Sequence, residues 1–293
     1  MAQIASAIPA PLPLMKIDYR KAFGLLVTYV LLLSAVTVIL FPVFWMASSS
    51  LKPDQELFAR NQTMLPINWT LQNYRNVWLN TDFPAYFWNS FKVAAISTLL
   101  SVVVSMYAAY AIARIQFTGR YAYGILLLVT QMFPHILLVI PLFILIRNIG
   151  LFNTHAALVI AYTAFSLPFN IWLLRGFFEA IPEELEDAAA IDGASMLGTF
   201  HKIILPLAGP GLAAVTMFSF IRAWNEFLFA LVFLQSHQLF TLPIGLASFQ
   251  EEFTFRWDLI MAGAGIITLP VLFFFLLMQR FIVQGLLGGA LKG

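Results

Sequence analysis

Between Lys21 and Lys52 the chain carries no charged side chain, and uncharged apolar intervals of comparable length recur along it. A hydrocarbon layer is crossed by roughly 20 mostly apolar residues in a helix, so such intervals restrict the fold to membrane-spanning solutions. With 61% hydrophobic and 10% charged residues among 293, lipid is the solvent for most of the chain. Lipid offers the backbone no hydrogen-bond partner. Each crossing must satisfy its own N–H and C=O groups, and these intervals are too long for barrel strands, so an all-α integral membrane protein is expected.

Six intervals qualify as spans. The first fits within Ala22 to Ala47, and the second runs from Trp88 to Ala113 with Lys92 near its outer end. The third lies within Tyr121 to Ile146 and the fourth within Thr154 to Leu174, joined by a connection short enough to make them antiparallel neighbours. The fifth extends from Pro206 to Leu234, interrupted by Arg222 and Glu226, and the sixth covers Leu259 to Gln279. Lys16, Arg20 and Lys21 flank the first span closely and predict a cytoplasmic N-terminus; Arg114, Arg120, Arg280 and Lys292 then also fall inside. Lys52, Arg60 and Arg75 fall outside, in a loop long enough to weaken the charge rule. The predicted organisation is a cytoplasmic tail over 1–21, a first span over 22–48, an extracytoplasmic loop over 49–87, a core over 88–284 and a cytoplasmic tail over 285–293. The first span is too long, and lacks a small-residue cleavage site, to read as a removable signal peptide. Pro9, Pro11 and Pro13 predict an irregular N-terminal tail, whereas Trp69, Tyr74 and Trp78 predict short helices in the outer loop. Asn68-Trp69-Thr70 matches a glycosylation sequon, a pattern too short to carry weight alone.

Several function classes drop out. The net charge of +2 is scattered rather than gathered in the basic stripe that nucleic acid requires. With no cysteine, disulfides and thiolate chemistry are excluded, and His135, His155, His201 and His237 lack metal-ligand spacing. The chain has no Gly-Lys dipeptide and therefore no Gly-x-x-x-x-Gly-Lys-Ser/Thr phosphate loop.

The segment 181–206, between spans four and five, is the most informative. Pro182 suits the first position of a helix, and Glu183, Glu184 and Glu186 favour the positive end of its dipole. Ala188, Ala189 and Ala190 propagate the helix and present small side chains that allow close approach of another surface. Gly193 permits a turn, and Ser195 can cap a second helix whose apolar face includes Met196, Phe200 and Ile203 or Ile204. The pattern by itself is equally that of an amphipathic loop bracing the bundle.

The spacing Asp187-Ala188-Ala189, three residues, Gly193, nine residues, Ile203-Ile204-Leu205-Pro206 resembles the coupling-loop signature of ATP-binding-cassette importer permeases, with Asp187 where the family usually has Glu. Pro182-Glu183-Glu184-Leu185-Glu186, Ile191-Asp192-Gly193-Ala194 and Trp224-Asn225-Glu226-Phe227 are similar to segments of the maltose-type carbohydrate permeases. So are Asn73-Tyr74, Asn89-Ser90, Ala108-Ala109-Tyr110-Ala111 and the terminal Leu291-Lys292-Gly293. This resemblance implies the type I importer fold of six transmembrane helices with a cytoplasmic helix-turn-helix coupling loop, in the prokaryotic cytoplasmic membrane. It implies a second homologous permease, two ATPase subunits that hold the ATP and Mg, and an extracytoplasmic solute-binding protein. This chain is then non-enzymatic and has no cofactor of its own. Glu183, Asp187, Ala188, Ala189, Asp192, Gly193, Ala194, Phe200 and Pro206 become the expected ATPase interface, with Phe200 as its apolar anchor.

Charges are costly in hydrocarbon, so Arg222 and Glu226 within the fifth span have two readings: a structural one, as a mutual i, i+4 ion pair or by snorkelling to the outer interface, and a role in the solute pathway or its gate. Trp224 and Asn225 would add an aromatic face and an amide suited to a polyhydroxylated ligand. An ion-gradient-driven secondary transporter is the alternative function, requiring internal repeats and midplane acids. No repeat is visible, and Glu226 is the one acid inside a predicted span. The predicted topology is checked with cysteines at Gln62, Gly119 and Lys292. Only Gln62→Cys should react with an impermeant reagent added to intact cells, and outside labelling at either other position overturns the orientation.

Overall fold

The computed structural model describes residues 19–250 and 256–290. The expected N-terminal tail up to Met15 and the terminal Leu291-Lys292-Gly293 lie outside them. In chain order the helices are α1 (Tyr19–Ser50), α2 (Asp54–Leu57), α3 (Gln72–Leu79), α4 (Phe83–Arg114), α5 (Arg120–Met132), α6 (Val139–Asn148) and α7 (His155–Glu179). They continue as α8 (Glu184–Ile191), α9 (Met196–Thr199), α10 (Leu205–Leu207), α11 (Gly209–Trp224), α12 (Leu228–Phe233), α13 (Leu242–Ala247) and α14 (Trp257–Ala290). Four single helices are long and apolar enough to cross a membrane, and two bent pairs bring the total to as many as six among the described residues.

Two of the expected spans are not straight. The third is α5 and α6, bent by 90° at Phe133–Pro134, after which a short 3₁₀ segment, His135–Leu138, leads into α6. Pro134 cannot donate a backbone hydrogen bond and forces Phe133 into an extended conformation (φ −77°, ψ 126°), which ends α5. The fifth is also broken: the run from α9 to α10 meets α11 at 77°, between Pro206 and Pro210. A further break at Asn225–Phe227 separates α11 from α12. The second span begins earlier than expected, at Phe83, because Pro84 fits the first turn of α4.

In lipid, burial of apolar surface does not drive helices together; close packing and hydrogen bonds do. Accordingly α4 buries a row of small residues, Ala94, Ser97, Ser101 and Ser105, and packs most extensively on α7, then on α11. At the junction of α4, α7 and α11 the buried Asn170 amide donates to Ser219 Oγ at 2.8 Å and to Ser101 Oγ at 3.4 Å. Near the outer end a stack of Phe274, Phe220 and Trp224 joins α14 to α11, with centroids 4.2 Å and 5.7 Å apart. By contrast, α1 keeps its apolar side chains exposed from Phe23 to Phe44 and packs on α14.

Side-chain amides tie the outer loops to the core. Asn73 Nδ2 donates to the Ser50 and Lys52 carbonyls, capping the outer end of α1, and Tyr74 lies 2.8 Å from Ser50 Oγ. Asn89 donates to the Gln238 and Phe240 carbonyls, while Ser90 Oγ accepts from the Leu242 amide. These bonds press α13 onto α4 so closely that a Cβ at Gly245 would lie 2.1 Å from the Tyr86 ring. At Gly176, within α7, a Cβ would meet nothing within 4 Å. Gly245→Ala should therefore cost about 1–3 kcal/mol through overpacking, whereas Gly176→Ala should be neutral or slightly stabilising. Thermal unfolding of the two variants in one detergent provides the comparison, and equal midpoints would contradict this packing.

Candidate functional site

The segment 181–206 folds as a helix, a turn and a second helix, as its residues predict. Gly193 closes the turn with φ +78°, a conformation that side chains with a Cβ rarely adopt. Ser195 Oγ accepts from the Gly198 amide at 3.2 Å and caps α9. After α9 the chain winds through a single π turn, Phe200–Ile204, into α10.

Two contacts fix this segment to the inner half of the bundle. Arg114, the last residue of α4, is 8% exposed. Its Nε donates to Glu186 Oε1 at 2.5 Å and its Nη2 to the Ile181 carbonyl at 2.8 Å. The other Glu186 oxygen accepts from Tyr110 at 2.7 Å, so the carboxylate is held from two sides. Glu183 lies 3.8 Å from Arg114 but is largely exposed and adds little. Removing one partner from a buried pair costs about 3–5 kcal/mol, because the other charge is left without compensation.

The second contact is Phe200, whose ring is 0% exposed and packs among Tyr107, Tyr110 and Phe178 at centroid distances of 4.5 to 5.9 Å. Phe200 is thus not a surface anchor, as its place in the amphipathic pattern suggested: the helical face that carries it turns toward α4 and α7. Ala189 is buried likewise. The outward surface comprises Glu183, Asp187, Ala188, Asp192, Gly193 and Ala194 from the expected set, and Pro206 is exposed as well. Its large apolar residues are Ile191, 87% exposed, with Leu185, Met196 and Leu197, none of which the signature emphasises. Met196 belongs to the expected apolar face and Ile191 to a segment similar to the family, but nothing in the sequence marks either as pointing outward.

The intramembrane polar group also differs from expectation. Because α11 stops at Trp224, Arg222 and Glu226 do not share a helix and form no ion pair with each other. The Arg222 guanidinium lies 3.2 Å from the His135 ring nitrogens, at the bend between α5 and α6. Glu226 accepts from the Phe229 and Ala230 amides at 2.8 and 3.1 Å, capping α12, and from the Tyr162 hydroxyl at 2.5 Å. A carboxylate is stabilised there by the positive end of the helix. His135, Tyr162, Ser166, Arg222 and Glu226 line a cavity of about 210 Å³. Arg222 lies about 20 Å along α11 from Gly209 at 1.5 Å per residue, which places the cavity toward the outer side. Trp224 is excluded from it: the indole is 0% exposed, is stacked on Phe220, and donates Nε1 to the Ile267 carbonyl at 3.2 Å. Asn225 is exposed but donates to its own helix at the Ile221 carbonyl. His135 and Tyr162 were missed because they come from distant spans, and only the fold brings them beside Arg222 and Glu226.

The geometry has counterparts among known proteins. Residues 101–288 match the family described as binding-protein-dependent transport system inner membrane component. A trehalose/maltose transport system permease protein of Thermococcus litoralis is 41% identical over 259 residues, covering 87% of this chain and 92% of that one. A sulfoquinovosyl glycerol transport system permease protein of Agrobacterium fabrum is 39% identical over 254 residues, covering 87% and 89%. Among solved structures, a bacterial ATP-binding-cassette transporter involved in import of the acidic polysaccharide alginate superposes with a TM-score of 0.77 at 26% identity. That superposition covers 90% of this chain and 98% of the other. The match spans the bent pairs and the helix-turn-helix segment alike, and this chain belongs to the binding-protein-dependent inner-membrane components, the permease subunits of ATP-binding-cassette importers.

Proposed function

We propose that this chain forms half of the pathway for a carbohydrate or related polyhydroxylated solute, and that its 183–197 surface docks on a separate ATPase subunit. The relatives that carry trehalose, maltose and sulfoquinovosyl glycerol in their names support the solute class. The observation that carries the docking proposal is the division of the segment into two faces. Its inner face is bonded to α4 through Arg114, Glu186 and Phe200, and its outer face offers Ile191, Met196 and Leu197 beside small and acidic residues. Such a surface can be pushed without deforming. The complete importer would pair this chain with a second permease and two ATPase subunits, and receive solute from a binding protein outside. ATP and Mg would reside on the ATPase subunits, because this chain has no phosphate loop.

Mechanically, closure of the ATPase pair would displace 183–197 together with the inner end of α4. Contacts that differ between the two nucleotide states then select between inward- and outward-open arrangements. The bends at Pro134 and between Pro206 and Pro210 are the places where the spans can yield. The cavity beside Arg222 and Glu226 is the polar lining on this chain that a hydroxylated solute would meet.

Docking and folding are separable by mutation. Ile191→Asp and Asp187→Lys alter only the outward face, so each should leave unfolding unchanged. Each should reduce solute-stimulated ATP hydrolysis of the reconstituted importer at least tenfold, about 1.4 kcal/mol at an interface hot spot. Asp187→Glu should be mild. Gly193→Val should uncouple through strain at positive φ, while Gly193→Asn, better tolerated there, should retain more activity. Phe200→Ala should instead lower stability by about 3–5 kcal/mol. Full hydrolysis and transport by Ile191→Asp and Asp187→Lys would remove this surface from the coupling path. Uptake that persists without ATPase subunits and collapses with the proton gradient would instead favour the secondary-transporter reading.

A further inference from the structure

A second pocket, of about 380 Å³, lies between the outer end of α1, the loop beyond it and the start of α14. Its walls include Trp45, Ser49, Lys52, Glu56, Gln62 and Trp257. Two charged groups here are under-used. Lys52 is 2% exposed; its ammonium donates to the Thr63 carbonyl and sits 4.9 Å above the Trp45 ring. No carboxylate among the described residues pairs with it. Glu56 accepts from the Ile67 amide through Oε1 at 2.6 Å, whereas its Oε2 is buried without a hydrogen-bond partner. A buried ammonium with donors to spare and a buried carboxylate oxygen with none to accept from each cost free energy. Gln62 donates to the Leu57 carbonyl through its amide nitrogen, which leaves its carbonyl as a further acceptor beside them.

We infer that this pocket is a subsite for a polyhydroxylated solute on the outer face of the permease, an inference that rests on the carbohydrate reading above. The chemistry selects the ligand class. A free anion would meet the Glu56 carboxylate and a free cation the Lys52 ammonium, but a sugar hydroxyl both donates and accepts. Both groups are sealed from solvent in this arrangement, so a sugar must part the side chains over them; neighbouring hydroxyls then accept from Lys52 Nζ and donate to Glu56 Oε2 together. The Trp45 and Trp257 indoles line the same pocket and supply apolar wall for the C–H groups of the ring. A volume of about 380 Å³ falls within the range of roughly 300–1,000 Å³ typical of small-molecule sites. The pocket is distinct from the cavity beside Arg222 and Glu226, with which it shares no residue. Its polar wall belongs to the loop beyond α1, where a solute delivered from outside arrives first.

The test uses the complete importer in lipid nanodiscs, with trehalose and maltose as probes and saturation-transfer NMR as the readout for weak binding. Glu56→Gln keeps the Oε1 bond to Ile67 but replaces the orphan acceptor by a donor, so it reverses the pocket's polarity with little effect on folding. Trp45→Leu removes one wall. Each variant should weaken the signal of a bound sugar by about fivefold or more, the loss of roughly one hydrogen bond or ring contact. Unchanged thermal unfolding should accompany the loss. Should Trp45→Leu prove unstable, Glu56→Gln decides alone. Sugar uptake by the unmodified importer is measured in parallel. A sugar that is transported, and whose signal persists in the variants, overturns the subsite while leaving the carbohydrate reading intact. If no sugar is transported or bound, the carbohydrate reading fails and takes the subsite with it.

Discussion

The bond between Arg114 and Glu186 is the interaction on which the inner half of the molecule depends. It joins the last residue of α4 to the middle of α8, across more than seventy residues of chain, and it does so inside the protein rather than at its surface. Because Tyr110 holds the second carboxylate oxygen, Glu186 has little freedom to follow any partner other than α4. Phe200 wedges into the same place from the next helix, so both arms of the helix-turn-helix are fastened to one span. The loop is therefore an extension of α4, and the covalent connections to α7 and α11 are only part of how it is attached.

A second constraint acts nearer the outer face, where the spans are interrupted. Lipid does not tolerate unsatisfied backbone, so each break must be supplied from within the protein. Glu226 does this for the start of α12, and Arg222 reaches to His135 at the bend of the α5–α6 pair. The same groups then border a cavity, as expected where irregular backbone occurs at membrane depth. The helix-turn-helix is attached rigidly to α4, whereas the α5–α6 pair and the fifth span are interrupted, the latter at both its inner and its outer end.

The spans, their order and the helix-turn-helix were legible in the chain because hydrocarbon solvation and local turn chemistry leave few alternatives. Gly193 at positive φ and the Ser195 cap follow from residue type alone. The direction in which a side chain points was not legible. Phe200 and Ile191 are both large and apolar on a short amphipathic segment, yet one is sealed inside and the other is almost fully exposed. The difference is set by Tyr107, Tyr110 and Phe178, contributed by spans distant in sequence. Spacing likewise suggested an Arg222–Glu226 pair, which depends on an unbroken helix, and the helix ends between them. Trp224 fitted ligand recognition by chemistry alone, but its burial against Phe220 removes it from the cavity beside Arg222 and Glu226.

The central claim is that residues 183–197 and the inner end of α4 move as one body when the ATPase subunits close. Pulsed electron spin resonance measures this directly, with labels on cysteines at Ala188 and Ile115, both exposed positions on either side of the Arg114 bond. A second pair relates Ala188 to a site on the partner permease. Between the nucleotide-free and ATP-bound importer, the Ala188–Ile115 distance distribution should stay fixed while the distance to the partner changes. If the Ala188–Ile115 distribution shifts as much as the inter-subunit one, the loop hinges independently of α4 and the account is wrong.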